Sequence, residues 1–268
     1  MKKLFLFASA IALSLAVSAQ SITIVQKGQE ILSVAPSTVD EIVFSMDTPS
    51  GTVSTVGAQK VNGSWCSIGT SITWYNNNVS ASNGRFTRGY QDRVMDKLEF
   101  TSLSNVGDNG GCIAASVNRP VKADYYTIEH GINDWGHSTP VGTIDDYINN
   151  TNNGTFAADY RRLIDKIFSL NPNAKVVLCT PRKGYGFSGY LPGHWYDEKN
   201  GIYLEDYAKL IREIAEYESM PVADFFSLCG AQNNLKELSI DDALHPNDDG
   251  YQMMANVLAK ALEKIIVE

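Results

Sequence analysis

Five short segments of the chain are rich in apolar residues without strict alternation between apolar and polar positions. They cover residues 64–68, 98–104, 125–130, 175–180 and 220–223. Strands covered by helices on both faces carry runs of this kind, whereas half-exposed strands alternate. The pattern therefore predicts five buried strands of a parallel sheet.

Four longer segments between and after these runs carry apolar residues at helical spacing. In one of them, Tyr207, Leu210, Ile211 and Ile214 form a single apolar stripe. The predicted helices cover residues 90–97, 156–169, 204–217 and 250–266. Alternation of strand and helix predicts an α/β fold, a doubly wound, flavodoxin-like parallel sheet sandwiched by helices. In such a sheet, ligands bind beyond the carboxyl ends of the strands.

The first sixty residues have a different pattern. A basic start at Lys2 and Lys3, an apolar run and the small residues Ser18 and Ala19 predict a signal peptide over residues 1–19. Residues 20–46 are expected to form a small N-terminal β extension and residues 47–60 a linker, so that the main domain covers residues 61–268. The protein is then exported and stays in the periplasm, on the cell surface or in the medium.

Composition narrows the classes of partner. The chain of 268 residues has a formal net charge of −8 and no basic run, which argues against nucleic acid as the main partner. Beyond the signal peptide, no apolar stretch is long enough for a transmembrane segment.

The four cysteines are widely spaced, and buried thiols are favoured over disulfides. No metal-ligand spacing and no nucleotide-binding loop appears, so neither a metal nor a cofactor is expected. Nothing indicates an oligomeric state.

Two segments far apart in the sequence carry groups for nucleophilic chemistry. Ser71 follows the first predicted strand through Gly69 and Thr70, and a serine hydroxyl needs a base to become a good nucleophile. Asp242 lies three residues before His245, close enough for a carboxylate to orient the imidazole. Taken alone, the serine pattern is more often an ordinary turn than a catalytic site, and the Asp-His spacing also fits an exposed turn with helix-capping residues.

Two further segments offer hydrogen-bond donors for an oxyanion. Asn133 follows the third predicted strand in Gly131-Ile132-Asn133-Asp134, and a glycine-rich turn at residues 105–111 follows the second. A side-chain amide or a backbone N–H can stabilise developing negative charge. The alternatives are an Asx turn and a flexible turn. All four segments border one crevice of the predicted sheet, and this joint placement favours an active site.

In their order and spacing, these segments resemble the four blocks of the SGNH hydrolases, the GDSL-like lipase/acylhydrolase family. The matching blocks are Gly69-Thr70-Ser71-Ile72, the glycine-bearing turn from Asn105 to Gly111, Gly131-Ile132-Asn133-Asp134, and Asp242-Ala243-Leu244-His245-Pro246. The resemblance covers residues 61–268.

The resemblance implies a role for each matched residue. Ser71 would be the nucleophile, His245 the general base and then acid, and Asp242 the residue that orients His245. The oxyanion hole would consist of the Ser71 N–H, a glycine N–H and the Asn133 side chain. Gly110 aligns best, while Gly107 and Gly111 remain alternatives. Thr70 departs from the family pattern, which has aspartate at that position.

The expected activity is that of an exported serine esterase acting through an acyl-enzyme, with acetyl or other short acyl groups on carbohydrates as the preferred substrate. The alternatives are a lipid or other acyl ester, and a non-catalytic glycan-binding surface protein on the same fold. Aromatic residues in and near the loop that ends at Trp195 are candidate substrate contacts or a cluster that pins this loop. The candidates are Trp135, Tyr185, Tyr190, His194 and Trp195.

Overall fold

The computed structural model describes residues 58–79, 86–184, 191–230, 234–240 and 242–266, together with the backbone of five strands closer to the N-terminus. The chain divides into two compact units, Met1–Val56 and Gly57–Glu268. No helix among the described residues is both long enough and apolar enough to cross a bilayer.

The described backbone of the first unit forms short strands. In chain order they are β1 (Lys3–Phe7), β2 (Leu13–Val17), β3 (Ile22–Gln26), β4 (Gln29–Val34) and β5 (Glu41–Ser45). Strands β2, β3 and β4 form an antiparallel sheet, and β1 pairs with β5 in parallel. Strands β3 to β5 lie in the segment expected to be a β extension. The signal peptide over residues 1–19 stays a prediction.

A five-stranded parallel sheet organises the second unit. The strands of this unit are β6 (Gln59–Gly69), β7 (Asn78–Val79), β8 (Phe86–Thr87), β9 (Leu98–Asn105), β10 (Tyr125–Glu129), β11 (Lys175–Cys179) and β12 (Val222–Ala223). The sheet has the order β9-β6-β10-β11-β12 with every pair parallel, and β7 and β8 form a separate hairpin. Numbered along the chain, this is the 2-1-3-4-5 order of flavodoxin-like folds. The predicted fold class is confirmed.

Helices cover both faces of this sheet. They are α1 (Ser71–Trp74), α2 (Tyr90–Met95), α3 (Ile113–Ser116), α4 (Ile132–Gly136), α5 (Ile144–Asn149), α6 (Phe156–Leu170), α7 (Leu204–Glu218), α8 (Phe225–Leu228) and α9 (Asp248–Glu263). Along β11, Val176 and Leu178 pack with α6 and α7, whereas Val177 and Cys179 pack with α2 and α9. Because successive side chains of a strand point to opposite faces, the inner strands β6, β10 and β11 each contribute to two hydrophobic cores.

The predicted elements overlap the observed ones, with shifted ends. Strand β6 begins at Gln59, five residues earlier than predicted, and its register with β9 shifts between Val61 and Ser64. Helix α2 ends at Met95 and α9 at Glu263, before their predicted ends. Cys66, Cys179 and Cys229 are buried, and they and the partly buried Cys112 are free thiols.

The carboxyl end of β6 packs closely against β10. Gly69 pairs with Glu129 across the two strands, and a Cβ atom at residue 69 would lie 2.8 Å from the Glu129 backbone oxygen and would also overlap the Thr73 hydroxyl. Only glycine fits between these groups. The chain can therefore turn directly from β6 into α1.

Substitution of this glycine is expected to destabilise the fold. Gly69→Ala should lower the free energy of unfolding by about 2–3 kcal/mol, because the backbone must shift to relieve the overlap. Gly193→Ala is a matched control, since a Cβ at this exposed glycine meets only the Asp197 side chain at 3.6 Å. Denaturant unfolding of both variants measures the difference, and equal stabilities would contradict the packing argument.

Candidate active site

Ser71 is the first residue of the one-turn helix α1, which begins immediately after β6. Thr70 is the N-cap, and its hydroxyl accepts a hydrogen bond from the Ile72 N–H at 3.3 Å. This cap satisfies one of the amide groups that a helix N-terminus leaves without an intrahelical partner. The Ser71 residue is only 5 % exposed. Its hydroxyl therefore lies in a preformed, largely dry position at the carboxyl end of the sheet.

A continuous hydrogen-bond path joins the serine to a histidine and an aspartate. The His245 Nε2 atom lies 2.8 Å from Ser71 Oγ, and His245 Nδ1 lies 2.6 Å from Asp242 Oδ2. His245 is 7 % exposed, and the Tyr75 ring packs edge-on against the imidazole with centroids 5.0 Å apart. An imidazole held between a carboxylate and a hydroxyl can remove the hydroxyl proton.

The Asp242 carboxylate is held in its ionised form. Its Oδ1 atom accepts hydrogen bonds from the backbone N–H groups of Leu244 and His245 at 3.0 and 2.8 Å. Burial by itself raises the pKa of Asp242, but the hydrogen bonds and charge of His245 and the two backbone N–H groups outweigh it and lower the pKa below its ordinary value. A permanent negative charge next to Nδ1 favours a protonated imidazole during proton transfer.

The turn after β9 contacts both helix α4 and the end of β6 that precedes the serine, where the Asp108 N–H donates to the Gly69 carbonyl at 2.8 Å. The Asn133 side chain is 4 % exposed and donates to the Gly111 carbonyl at 2.9 Å. The Gly107 N–H donates to Asn105 Oδ1, and the Gly111 N–H donates to the Asp108 carbonyl. Within the described part of the chain, the Gly110 N–H has no such partner, and this residue has a φ of 79°. Of the three glycines, Gly110 is thus the one whose N–H is available to a ligand.

Side chains from three other elements hold the carboxyl end of α1. The Tyr251 hydroxyl donates to the Ile72 carbonyl at 3.0 Å, and Gln91 and Asn105 both donate to the Thr73 carbonyl, at 2.8 and 2.9 Å. Helix carbonyls in a last turn lack intrahelical partners, so these donors satisfy them. They also tie the serine to α9, α2 and β9.

Two buried carboxyl groups lie beneath this region. Glu129, at the end of β10, accepts hydrogen bonds from Thr70 and Thr73, and Asp134, in α4, accepts from the Ile113 N–H at 3.1 Å. Burial raises the pKa of each to about 7, against the opposing effect of these hydrogen bonds. Glu129 Oε1 has no hydrogen-bond partner within the described residues. A proton on this atom would cost no existing hydrogen bond.

A buried arginine holds the loop that carries Asp242 and His245. The Arg182 guanidinium donates to the Leu238 and Leu244 carbonyls at 3.0 and 3.2 Å, and to the Ser239 hydroxyl at 3.1 Å. Arg182 is 1 % exposed, and burial lowers its pKa to about 10. These contacts fix the histidine loop to the segment that follows β11, because a buried carbonyl without a donor costs free energy.

The predicted substrate contacts have different environments. Trp135 is fully buried and its indole donates to the Ile202 carbonyl at 3.1 Å, so its expected role as a substrate contact is wrong: the ring belongs to the core. His194 is exposed and stacks on Tyr196 with centroids 4.9 Å apart. Trp195 is half-buried against Phe226. Tyr185 and Tyr190 lie outside the described residues.

Ser71, His245 and Asp242 thus form one hydrogen-bonded set, and Asn133 contacts the glycine turn, whereas three residues of this region were not predicted. Glu129, Arg182 and Tyr75 contact the serine helix or the histidine loop. A charged residue inside an apolar strand was the available signal for Glu129, and an arginine directly after a buried strand was the signal for Arg182. No group of three or more potential metal ligands occurs among the residues that the structure describes.

Comparison with protein families gives one match that covers most of the second unit. The model of the GDSL-like lipase/acylhydrolase family matches residues 67–253. Among curated proteins, none matches this sequence.

Several solved structures share the fold. One is a protein from Chitinophaga pinensis DSM 2588 described as a possible lipase, with 27 % identity and a TM-score of 0.65, covering 76 % of this chain and 98 % of that one. A lipase/acylhydrolase from Enterococcus faecalis has 19 % identity and a TM-score of 0.52, with 76 % and 97 % covered. A member of the lipolytic G-D-S-L family from Veillonella parvula DSM 2008 has 14 % identity and a TM-score of 0.51, with 75 % and 98 % covered.

Removal of the Arg182 donors should weaken the fold and loosen the histidine loop. Arg182→Met keeps most of the volume but leaves the buried Leu244 carbonyl without this donor, while the Leu238 carbonyl keeps the Asn247 N–H. We expect the free energy of unfolding to fall by about 1–3 kcal/mol. Arg88→Met is the control, since Arg88 is exposed and pairs with Asp96 at the surface, where such pairs contribute about 0–1 kcal/mol. Denaturant unfolding tests both, and an Arg182→Met variant as stable as the control would refute the assignment.

The buried carboxyl of Asp134 should make stability depend on pH. Because its pKa is raised to about 7 in the folded protein, folding favours the protonated form. This contribution is complete below about pH 4, the ordinary aspartate range, and is lost as the pH rises to about 7. In Asp134→Asn, the free energy of unfolding should therefore decline less between these pH values than in the wild type. Parallel slopes in denaturant titrations at several pH values would contradict the prediction.

Proposed function

Because the chain belongs to the GDSL-like lipase/acylhydrolase family and is a carboxylic ester hydrolase, we propose that it cleaves esters with Ser71 as nucleophile, His245 as base and Asp242 as the group that orients His245. The observation that carries this proposal is the unbroken path from Asp242 through His245 to Ser71, with heavy-atom distances of 2.6 and 2.8 Å. Family membership decides against the non-catalytic alternative.

The reaction proceeds in two steps through an acyl-enzyme. His245 Nε2 accepts the proton of Ser71 Oγ as this oxygen attacks the ester carbonyl, and the protonated imidazole then gives its proton to the departing alcohol. In the second step, His245 takes a proton from water as the water oxygen attacks the acyl-enzyme carbonyl. The protonated imidazole then returns this proton to Ser71 Oγ as the bond between Oγ and the acyl carbon breaks, and the acid is released. Asp242 stays ionised throughout, which its lowered pKa supports.

Three N–H donors stabilise the oxyanion of each tetrahedral intermediate. They are the Ser71 backbone N–H at the start of α1, the Gly110 backbone N–H and the Asn133 side-chain amide. The hydrogen bond from Asn133 to the Gly111 carbonyl supports this set, because it brings the asparagine next to the glycine turn. Gly110 is preferred to Gly107 and Gly111, whose N–H groups donate within the turn.

The proposed substrates are short acyl groups, acetyl first, on carbohydrates outside the cytoplasm. The apolar run after Lys2 and Lys3 supports export. The exposed stacked pair His194 and Tyr196 offers a flat surface of the kind that can contact a sugar ring. These residues lie in the segment that follows β11 and packs on α8 through Trp195 and Phe226, at the end of the sheet that carries Ser71.

The nucleophile assignment can be tested with a matched pair of serine variants. Ser71→Ala should lose at least about 10³-fold in kcat on a short-chain aryl ester, because it removes the hydroxyl that lies 2.8 Å from His245 Nε2. Ser169→Ala is the control, as this exposed serine of α6 only caps the Lys166 carbonyl. Purified proteins are compared by steady-state kinetics. Full turnover by Ser71→Ala would end the proposal.

The substrate class needs a separate assay. Wild-type protein is incubated with acetylated polysaccharides, with short-chain aryl esters and with long-chain acyl esters, and the released acid is quantified. Release of acetate from polysaccharide at the highest kcat/KM is the expected result. Preference for long-chain esters would overturn the carbohydrate assignment in favour of a lipid substrate, while leaving the role of Ser71 intact.

A further inference from the structure

A chain of buried hydrogen bonds runs from the interior of the sheet to the serine helix. The Trp65 indole donates to Thr127, which lies 3.4 Å from the Ser67 hydroxyl; this hydroxyl in turn contacts the Tyr90 hydroxyl at 3.1 Å. Tyr90 continues the chain to Thr73 at 2.7 Å. All of these side chains are completely buried.

The direction of every hydrogen bond in this chain is fixed by its two ends. An indole N–H can only donate, so Thr127 accepts from Trp65 and passes its own proton onward. At the other end, the Thr73 hydroxyl donates to Glu129 Oε2 at 3.1 Å, so Tyr90 must donate to Thr73. A buried chain of hydroxyl groups oriented in one sense requires an acceptor at its end, and hydrogen bonds in such a chain strengthen one another.

Glu129 is this acceptor, and it holds both sides of the nucleophile. The same Oε2 atom accepts the backbone N–H of Thr70 at 3.1 Å and the Thr70 hydroxyl at 2.7 Å. Thr70 precedes Ser71 and Thr73 follows it by two residues, so one oxygen atom binds the residues that flank the serine. In a helix of one turn, these contacts set the direction in which Ser71 Oγ points.

We propose that Glu129 is a positioning residue for Ser71: its carboxyl group, at the end of the buried hydrogen-bond chain, fixes helix α1 so that Ser71 Oγ stays within hydrogen-bond distance of His245. The inference rests on the proposed role of Ser71. It also accounts for Thr70, because an acidic residue at position 70 would meet the Glu129 carboxyl in a buried site that accommodates one such group.

Substitutions at both ends of the Glu129 contact test the proposal. Glu129→Leu removes every acceptor and should lower kcat on a short-chain aryl ester by about 100-fold, since a displacement of about 1 Å can cost that much. Glu129→Gln retains one acceptor oxygen and should lose about tenfold, as should Thr73→Val, which interrupts the chain. KM should change less than about twofold in each variant, because these buried groups do not touch substrate.

A double variant tests whether position 70 and Glu129 share one acidic site. Thr70→Asp alone should lower kcat, since two carboxyl groups then compete for the same donors and one must stay protonated or move away. Adding Glu129→Gln to Thr70→Asp should raise kcat above that of the single Thr70→Asp variant. A double variant no more active than Thr70→Asp would count against the shared site.

Asp159→Asn separates positioning from general destabilisation. Asp159 is a buried carboxylate of α6 that pairs with Arg162, so this variant should lose stability but keep wild-type kcat once folded. Thermal unfolding of every variant accompanies the kinetics, as does the rate of labelling by a fluorophosphonate, which reacts with activated serine. The Glu129 and Thr73 variants should be labelled more slowly, in proportion to kcat.

The outcomes distinguish this inference from the proposed function. If folded Glu129→Gln, Glu129→Leu and Thr73→Val all keep kcat within about twofold of the wild type while Ser71→Ala is inactive, the positioning role is refuted and the function stands. If Ser71→Ala keeps turnover and the wild type is not labelled, the proposed function fails first. Loss of kcat in Asp159→Asn equal to that in the Glu129 variants would assign both effects to stability alone.

Discussion

Helix α1 is too short to hold its own shape, and the rest of the site depends on how the surrounding structure holds it. A single helical turn gains too few hydrogen bonds to offset the entropy of ordering its residues. Its amino end is bound through Thr70 to Glu129, and its carbonyl groups are bound by Tyr251, Gln91 and Asn105. The position of the serine hydroxyl is thus determined by the packing of β10, α9, α2 and β9 around one turn of chain.

The order of the strands brings the remaining groups to this turn. Strand β6 lies between β9 and β10, so the loops that follow its two neighbours flank the serine on either side. One loop carries the glycine turn and the other carries Asn133, and the hydrogen bond between Asn133 and the Gly111 carbonyl closes the gap between them. His245 lies on a separate loop, which Arg182 binds to the segment that follows β11. Parallel strands of this order create such a crevice before any particular chemistry is placed in it.

The hydrophobic periodicity of the sequence predicted much of the fold but less of the candidate site. The five sheet strands, the three long amphipathic helices α6, α7 and α9, and the shorter α2 were predictable because burial on two faces or one stripe leaves a local signal in the sequence. Short elements such as α1, α4 and α8 were not, since each is stabilised by tertiary contacts that no local window contains. Ser71, Asp242, His245 and Asn133 were found through their order along the chain. Trp135 was misassigned because an indole can serve the core as readily as a ligand, and Glu129 was missed because its partners are 56 and 59 residues away.

The separation between the two halves of the site has a consequence for the protein as it is made. Ser71 and His245 are 174 residues apart, and at ordinary rates of translation the histidine is added roughly 10–35 s after the serine. Until then the Ser71 hydroxyl lacks the imidazole proposed as its base, and the loop that Arg182 will bind has not yet been synthesised. A nascent chain that has folded only its first strands therefore lacks the base of the proposed mechanism. Under the proposed mechanism, ester cleavage begins only after the loop that carries His245 has been made and has folded against Ser71.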